Sequence, residues 1–327
     1  MTSQIVEING VMVTPAKRLK KLFISQVSVV LLLTLIIAGS FLSDVFLSVQ
    51  NFLNILWAVS VLGIVALGQT MLIIACRFDM SVAYSVGLCG IVTIVLQSHG
   101  SSLFISVLFG LMCGFVVGFV NGVICVSTGA NPFLVTLGTG TLIYAISLAI
   151  TKSKTMYTSV DSFSTLGRGK LFGSLNYSVL IFILLAFILE GVLRYTKFGR
   201  SLFVIGANER VGRLSGFSTS RVAMGAFLIC GFTAAIASLI VTSRNGSTVA
   251  NVGVGMEFDS IIAVVLGGTS LFGGTGGALR TVVGVLVLGV LNNLLVLMNM
   301  PFEGQQIAKG IIFLLIVWLD TSGRNAL

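Results

Sequence analysis

The sequence contains very little charge and a single histidine. Only 9% of its 327 residues are Asp, Glu, Lys or Arg, whereas soluble globular domains carry roughly 25%. Apolar residues make up 56% of the chain, and the mean hydropathy is +1.09. A chain with so few charges cannot cover an apolar core with a polar surface, so we expect a membrane protein.

The sequence also lacks the patterns expected of a metal site or a nucleotide site. Its five cysteines, Cys76, Cys89, Cys113, Cys125 and Cys230, fall in or beside apolar segments, without a CxxC pair or a Cys/His cluster. We interpret them as buried apolar side chains. The phosphate-binding pattern GxxxxGK[ST] does not occur, so the chain has no visible means of hydrolysing ATP itself. We therefore expect no directly bound cofactor and no catalytic residues.

Apolar stretches predict an all-α, polytopic membrane protein with about ten transmembrane or re-entrant helices. Two stretches are short or interrupted by glycine, which is typical of re-entrant or broken helices buried in protein. The predicted segments are 22–42, 55–76, 80–97, 103–127, 132–150, 174–193, 221–243, 258–272, 281–299 and 305–320.

The net charge of +9 is carried at the ends of apolar stretches, not on a basic domain, so we expect no nucleic-acid partner. The basic cluster Lys17–Lys21 precedes the first stretch and predicts a cytoplasmic N-terminus. We expect a cytoplasmic basic segment (1–21), one transmembrane domain (22–320) with a cytoplasmic loop at 194–221, and a cytoplasmic tail (321–327). Segment 151–173 disagrees with the positive-inside rule, because the count places it outside although Lys152, Lys154, Arg168 and Lys170 lie within it.

Glycines recur at helical spacing in one predicted span and cluster in another. The first set forms one smooth helix face, which is typical of close packing or of a helix that slides during transport. The second set, in Ala263–Gly277, has six glycines in fifteen residues, which is typical of tight turns or of backbone that lines a path. The residues concerned are Gly110, Gly114, Gly118 and Gly122, and Gly267, Gly268 and Thr269.

Charged residues within the apolar region are few, so each is a candidate for function. Arg77 and Asp79 are close enough in sequence to neutralise each other, and Asp79 could contact a transported molecule, cap a helix or brace a turn. Glu257, Asp259 and Glu190 lie near the ends of predicted spans. No chain of carboxylates suggests a proton relay.

The loop 194–221 contains a candidate docking element for a soluble partner. The range Gly206–Gly216 predicts a short amphipathic helix between glycines, with Asn208 as its cap and Glu209 at its positive end. Arg213 suits the opposite end. The candidate coupling residues are Gly206, Asn208, Glu209, Arg213, Leu214, Ser215 and Gly216.

Several blocks in this order resemble the permease subunits of bacterial ABC importers for ribose, xylose, galactose and related simple sugars. They cover about residues 50–320 and are specific when taken together. The blocks are GIVALGQT (63–70), DMSV (79–82), NPFLVTLGT (131–139), TKFGR (196–200), GANE (206–209) with RLSG (213–216), IAVVLGGTSLFGG (262–274) and QIAKG (306–310).

The resemblance implies a multi-span inner-membrane subunit that pairs with a second permease subunit, identical or different. It also implies two ATP-binding subunits, which hydrolyse the ATP, and a periplasmic or lipid-anchored substrate-binding protein. The helix at 206–216 would be the coupling element. The candidate residues of the translocation path are Arg77, Asp79 and Asn131, and Asn131 lies within a matching block.

One block departs from the family pattern. The usual Gly-Gly-Ile-Asp-Leu-Ser-Val-Gly becomes Cys-Arg-Phe-Asp-Met-Ser-Val-Ala at Cys76–Ala83. A turn that needs positive φ would be strained there, and Arg77 could narrow a path. An unequal permease pair or an atypical cargo, such as a sugar-like signal, a nucleoside or an amino acid, stays open. An ion-coupled secondary transporter and a membrane-embedded enzyme are the alternatives of other classes.

Overall fold

The computed structural model describes residues 6–8, 11–13, 15–171 and 173–325, and the side chains of 28–171 and 173–315. Helices dominate these ranges, which confirms the all-α, polytopic class. They are α1 (Pro15–Leu42), α2 (Val49–Ile74), α3 (Val82–Ser98), α4 (Leu103–Thr128), α5 (Pro132–Thr151), α6 (Ser164–Arg168), α7 (Tyr177–Tyr195), α8 (Lys197–Ala207), α9 (Glu209–Leu214), α10 (Thr219–Asn245), α11 (Met256–Leu266), α12 (Ala278–Leu297) and α13 (Phe302–Asn325).

Short strands form three antiparallel pairs. They are β1 (Val6–Ile8), β2 (Val11–Val13), β3 (Met156–Tyr157), β4 (Lys170–Leu171), β5 (Leu175–Asn176) and β6 (Ser247–Thr248). β1 pairs with β2 and β4 pairs with β5, each as a local hairpin. β3 pairs with β6 and so joins the segment after α5 to the segment after α10.

Six of the described helices are long and apolar enough to cross a membrane: α2, α4, α5, α7, α10 and α12. Each coincides with a predicted segment. The 28–42 part of α1 and α3 are shorter apolar helices. The predicted segment 258–272 was too long, because α11 ends at Leu266 and a glycine turn follows. The number of crossings and the side of the termini stay predictions.

Polar caps set the helix ends, because the first backbone N–H groups of a helix have no partner within it. The Ser48 side chain accepts a hydrogen bond from Asn51 N at the start of α2. The Thr196 side chain caps α8 in the same way, because its Oγ1 accepts a hydrogen bond from Gly199 N at 3.0 Å. α4 ends at Thr128, and Gly129 follows it with a φ of +67°, a conformation that glycine adopts without the strain a side chain would add.

α2 is the central helix of the bundle. In its most apolar window, 83% of the residues are buried by the protein itself, whereas the figure for α5 is 22%. The apolar side chains of α5 therefore need lipid or another subunit, while those of α2 pack against α7, α10, α11 and α12.

Hydrogen bonds between connecting segments define two ends of the bundle. At one, which we call the α9 end, the C-terminus of α2 meets Gly274, and Glu190 near the end of α7 accepts the N–H of Leu279 at the start of α12. At the other, which we call the far end, Trp57 of α2 donates to Gly167 O at 3.2 Å. The basic segment 151–173 and the coupling segment thus lie at opposite ends.

Two cations at the far end have structural contacts. Arg168 Nε donates to Arg244 O at 2.7 Å, which holds α6 against the end of α10. The guanidinium of Arg244 lies 4.8 Å from the centroid of the Trp57 ring, a cation–π distance. Arg168, one of the cations in segment 151–173 that depart from the positive-inside rule, therefore has a packing role.

The short helices α3 and α11 are each continuous and each follow a non-helical segment, and their re-entrant character stays a prediction. α3 is preceded by the turn 75–81, and α11 by the segment 246–255. The segment before α11 packs against the start of α3, because a Cβ at Gly253 would overlap the carbonyl oxygen of Ala83. A side chain at Gly87 would come 2.5 Å from Ala250 O.

The glycine face of α4 packs against α10. A Cβ at Gly114 would overlap the carbonyl oxygen of Gly231, and one at Gly118 would overlap that of Phe227, so the two backbones are in direct contact. This is the packing arrangement; sliding of α4 stays a hypothesis. The remaining glycines of the face, Gly110 and Gly122, meet Thr93 of α3 and Met224 of α10.

Candidate functional site

The coupling segment forms a shorter helix than the sequence predicts. Gly206 belongs to α8, and α9 begins only at Glu209. Asn208 takes the predicted cap position with an extended backbone, and its Oδ1 accepts from Arg210 N at 3.0 Å and Val211 N at 3.1 Å. The extended backbone of Asn208, with a φ of −162°, separates α9 from α8.

α9 presents apolar side chains to the outside of the bundle. Leu214 is 82% exposed and Val211 49% exposed. Ser215 ends the helix, and Gly216 follows it with a φ of +82°. Exposed apolar residues on a short polar helix at the end of a bundle are typical of a surface that a partner covers.

Three backbone segments meet beside the carbonyl oxygen of Ile74, the last residue of α2. Gly274 N donates to this oxygen at 2.9 Å. Gly206 passes the same atom so closely that a Cβ there would overlap it. Because α9 follows Gly206 by three residues, the start of α9 is fixed to the end of the central helix.

The turn after α2 is a Schellman motif with cysteine at its left-handed position. Cys76 has a φ of +56°. Its N–H donates to Ile73 O, and the N–H of Arg77 donates to Leu72 O, both at 2.9 Å. Glycine is the residue that this position favours. The strain expected from the sequence is therefore present, and it falls on Cys76.

Arg77 forms an ion pair with Glu209, and not the pair with Asp79 that the sequence left open. The Arg77 Nη2 atom lies 3.6 Å from Glu209 Oε2, and the Arg77 side chain is only 15% exposed. Glu209 also accepts from Arg213 Nη2 at 3.0 Å. Partial burial opposes ionisation of Glu209, yet the Arg213 hydrogen bond and the charges of Arg77 and Arg213 outweigh it and lower the pKa of its carboxyl.

Asp79 lies at the centre of a buried polar cluster. Its Oδ1 accepts from Ser81 N at 2.8 Å and from Ser81 Oγ at 2.6 Å. The Asn121 amide of α4 lies 3.2 Å from Asp79 Oδ2. Asp79 is 1% exposed and Asn121 fully buried, so the carboxylate braces the turn that leads into α3.

Further hydrogen bonds join this polar cluster to α2 and α5. Gln69 Nε2 donates to Asp79 O at 2.6 Å. Thr139 of α5 donates to Asn121 Oδ1, also at 2.6 Å. Thr136 of the same helix accepts from the N–H of Met80 at 2.9 Å. Three helices, α2, α4 and α5, and the turn that leads into α3 therefore meet around one carboxylate.

Sequence reasoning missed Gln69, Asn121, Thr136 and Thr139. A signal was present for Asn121, because an amide in the middle of an apolar 26-residue helix needs a partner. Thr136 and Thr139 carried no such signal, since a threonine on a helix can bond its own backbone.

The other candidate residues of the path lie apart from this cluster. Asn131 is exposed and caps α5, with its Oδ1 accepting from Phe133 N at 2.9 Å. Gly267, Gly268 and Thr269 form the turn that ends α11, and Gly268 has a φ of +89°. This is a second Schellman motif, here with glycine at the left-handed position.

The remaining acidic candidates have local partners. Asp259 accepts from Lys309 Nζ at 2.8 Å, which joins α11 to α13. Glu257 accepts from Gly255 N at 2.8 Å at the start of α11. Glu190 accepts from Arg194 Nε at 2.5 Å, besides its contact with α12.

Comparison with known proteins identifies the family. Residues 51–318 match the model of the family described as branched-chain amino acid transport system / permease component. The chain belongs to this permease family. It is a multi-pass membrane permease of an ABC importer in the inner membrane and not an enzyme, since such importers carry their ATPase on a separate subunit.

Curated relatives of this permease cover almost its whole length. It is 34% identical over 304 residues to the ribose import permease protein RbsC of Haemophilus influenzae, covering 92% of this chain and 94% of the relative. The protein of the same name from Escherichia coli K12 is 33% identical over 305 residues, covering 92% and 95%. That from Bacillus subtilis is 34% identical over 291 residues, covering 88% and 90%. No solved structure matches.

Proposed function

We propose that this permease imports a ribose-type monosaccharide and that α9 is where its ATPase acts. The proposed role of α9 rests on the geometry of that helix. The helix exposes Val211 and Leu214 to a partner, while the chain immediately before it is fixed to the end of α2. A push on α9 therefore reaches the central helix without passing through a flexible linker.

The cargo assignment rests on the relatives, whose names specify ribose import. The buried cluster around Asp79 is polar but fully paired on its carboxylate, so it suits a structural hinge better than a sugar-binding site. In this proposal a substrate-binding protein supplies most of the selectivity, and the path binds the sugar weakly.

The proposed orientation puts the α9 end in the cytoplasm. The positive-inside rule supports it, because cations are frequent in and around the coupling segment. The binding protein then meets the far end, and a second permease subunit, identical or different, completes the path. The cations are Arg194, Lys197, Arg200, Arg210, Arg213 and Arg221.

Purification of the tagged protein from native membranes in mild detergent tests the assembly. We expect an ATP-binding subunit and a second permease copy or a similar permease, identified by mass. The complex is then reconstituted with its binding protein in vesicles and tested for uptake of labelled D-ribose. Uptake that needs ATP supports the proposal, whereas uptake that persists without ATP and stops when the ion gradient collapses shows a secondary transporter.

A further inference from the structure

Arg77 lies between the coupling helix and the buried polar cluster. Its backbone is held in the turn that ends α2, and its guanidinium contacts Glu209, the first residue of α9. Two residues further along the same turn, Asp79 is bonded to Ser81 and Asn121. The side chain thus joins α9 to a short turn that is anchored in the interior.

This ionic contact is additional to the backbone contacts of the junction. Gly206 and Gly274 touch Ile74 through main-chain atoms, which any residue at position 77 would allow. The ion pair, in contrast, depends on the side chain at position 77, and alanine there would be too short to reach Glu209.

The environment of Arg77 favours a directed contact. The side chain is 15% exposed, and its Nε atom is buried without a hydrogen-bond partner among the described residues. A charge in such surroundings interacts with its counterion more strongly than an exposed one, because less water screens it. Glu209 thus places a negative charge beside the Arg77 guanidinium.

We propose that Arg77 is a positioning residue for transport, which transmits displacement of α9 to the turn 75–81 and from there to the polar cluster around Asp79. This inference rests on the proposed coupling role of α9. When the ATPase moves α9, the ion pair pulls the turn in the same direction, and the start of α3 moves with it.

The test compares two variants that each remove one cation from an ion pair at the α9 end of the bundle. Arg77→Ala removes the cation on the turn. Arg194→Ala removes the exposed cation that pairs with Glu190 at the end of α7, and leaves α9 and the turn intact. Each is reconstituted as the full complex with its ATPase and binding protein, and ATP hydrolysis and uptake of labelled D-ribose are measured together.

We expect Arg77→Ala to retain ATP hydrolysis but to lower sugar uptake per ATP by about fivefold, the low end of the coupling between allosteric sites. Arg194→Ala should keep the wild-type ratio. Arg77→Lys, which retains the charge, should restore most of the uptake. Equal ratios for Arg77→Ala and Arg194→Ala, or for Arg77→Ala and the wild type, would overturn the proposal.

A second measurement does not depend on the cargo. Cys76 is exposed beside Arg77, whereas Cys89, Cys125 and Cys230 are buried. We measure its labelling rate by a membrane-impermeant maleimide with and without ATP plus vanadate, in a Cys113→Ala background. The rate should depend on nucleotide in the wild type and in Arg194→Ala but not in Arg77→Ala.

The outcomes separate this inference from the proposed function. If no ATPase co-purifies and the wild-type Cys76 rate ignores nucleotide, the coupling role of α9 fails and this inference fails with it. If nucleotide changes the Cys76 labelling rate equally in the wild type and in Arg77→Ala, only the proposed role of Arg77 is wrong.

Discussion

The carbonyl oxygen of Ile74 accepts a hydrogen bond from the backbone N–H of Gly274 at 2.9 Å. This bond brings the C-terminus of the central helix and the glycine-rich loop before α12 together. Gly206 lies against the same oxygen. One carbonyl group thus determines the position of the chain that leads into α9.

We expect Gly206→Ala to disturb this junction. The new methyl group would overlap Ile74 O, so a backbone segment must shift, at a cost of about 1–3 kcal/mol. The variant should lose thermal stability in detergent and co-purify less ATPase. Gly191→Ala in α7 is the control, because a methyl group added there would meet no atom within 4 Å. Equal stability of the two variants would contradict the steric argument.

Cys76→Gly should stabilise the permease. A non-glycine residue in the left-handed region costs about 1–2 kcal/mol, of which the greater freedom of glycine in the unfolded chain cancels part. We expect a higher melting temperature of the detergent-solubilised protein. Cys76→Ala removes the thiol but keeps the positive φ of 56°, so it should not stabilise. A gain with alanine as large as that with glycine would show that the thiol, and not the backbone, is the cause.

Asp79→Asn should reduce sugar uptake while membrane assembly continues. Asn121 donates its amide N–H to Asp79 Oδ2. In the variant, the amide nitrogen of the new Asn would face this N–H, and two donors facing each other lower the stability by about 1–3 kcal/mol. Reconstituted vesicles and the amount of purified complex report the two effects separately.

The double variant Asp79→Asn/Asn121→Asp is the sharper test of the same cluster. It exchanges donor and acceptor across the contact while Thr139 keeps an oxygen acceptor on residue 121. Sugar uptake by the double variant should therefore be higher than uptake by Asp79→Asn and lower than uptake by the wild type. No recovery would mean that Asp79 acts through its charge at that position and not through hydrogen-bond complementarity.

Glu209→Lys should weaken association with the ATPase and leave membrane insertion intact. The change removes the carboxylate from the positive N-terminus of α9 and adds a cation beside Arg77 and Arg213. Glu303→Lys makes the same charge change in the first turn of α13, at an exposed position. Normal recovery of ATPase with the Glu209 variant would count against the coupling role.

Much of the helical architecture is local in origin and could be predicted. The apolar stretches place the six long helices, the Asn208 cap is readable from its position before Glu209, and the four-residue spacing of glycines identifies the packing face of α4. The separate helix α8, which precedes this cap and includes Gly206, was not predicted, because the helical pattern was assigned to 206–216 alone.

The sequence by itself determined that this protein lies in a membrane and which segments are helical. Only the tertiary structure decided that Cys76 takes the left-handed position of its turn, that Arg77 pairs with Glu209 and that Asn121 meets Asp79. Hydropathy and helical spacing are properties of neighbouring residues. The partner of a buried polar group depends instead on how distant helices approach one another, and here small residues at the contacts, such as Gly114 and Gly206, set that approach.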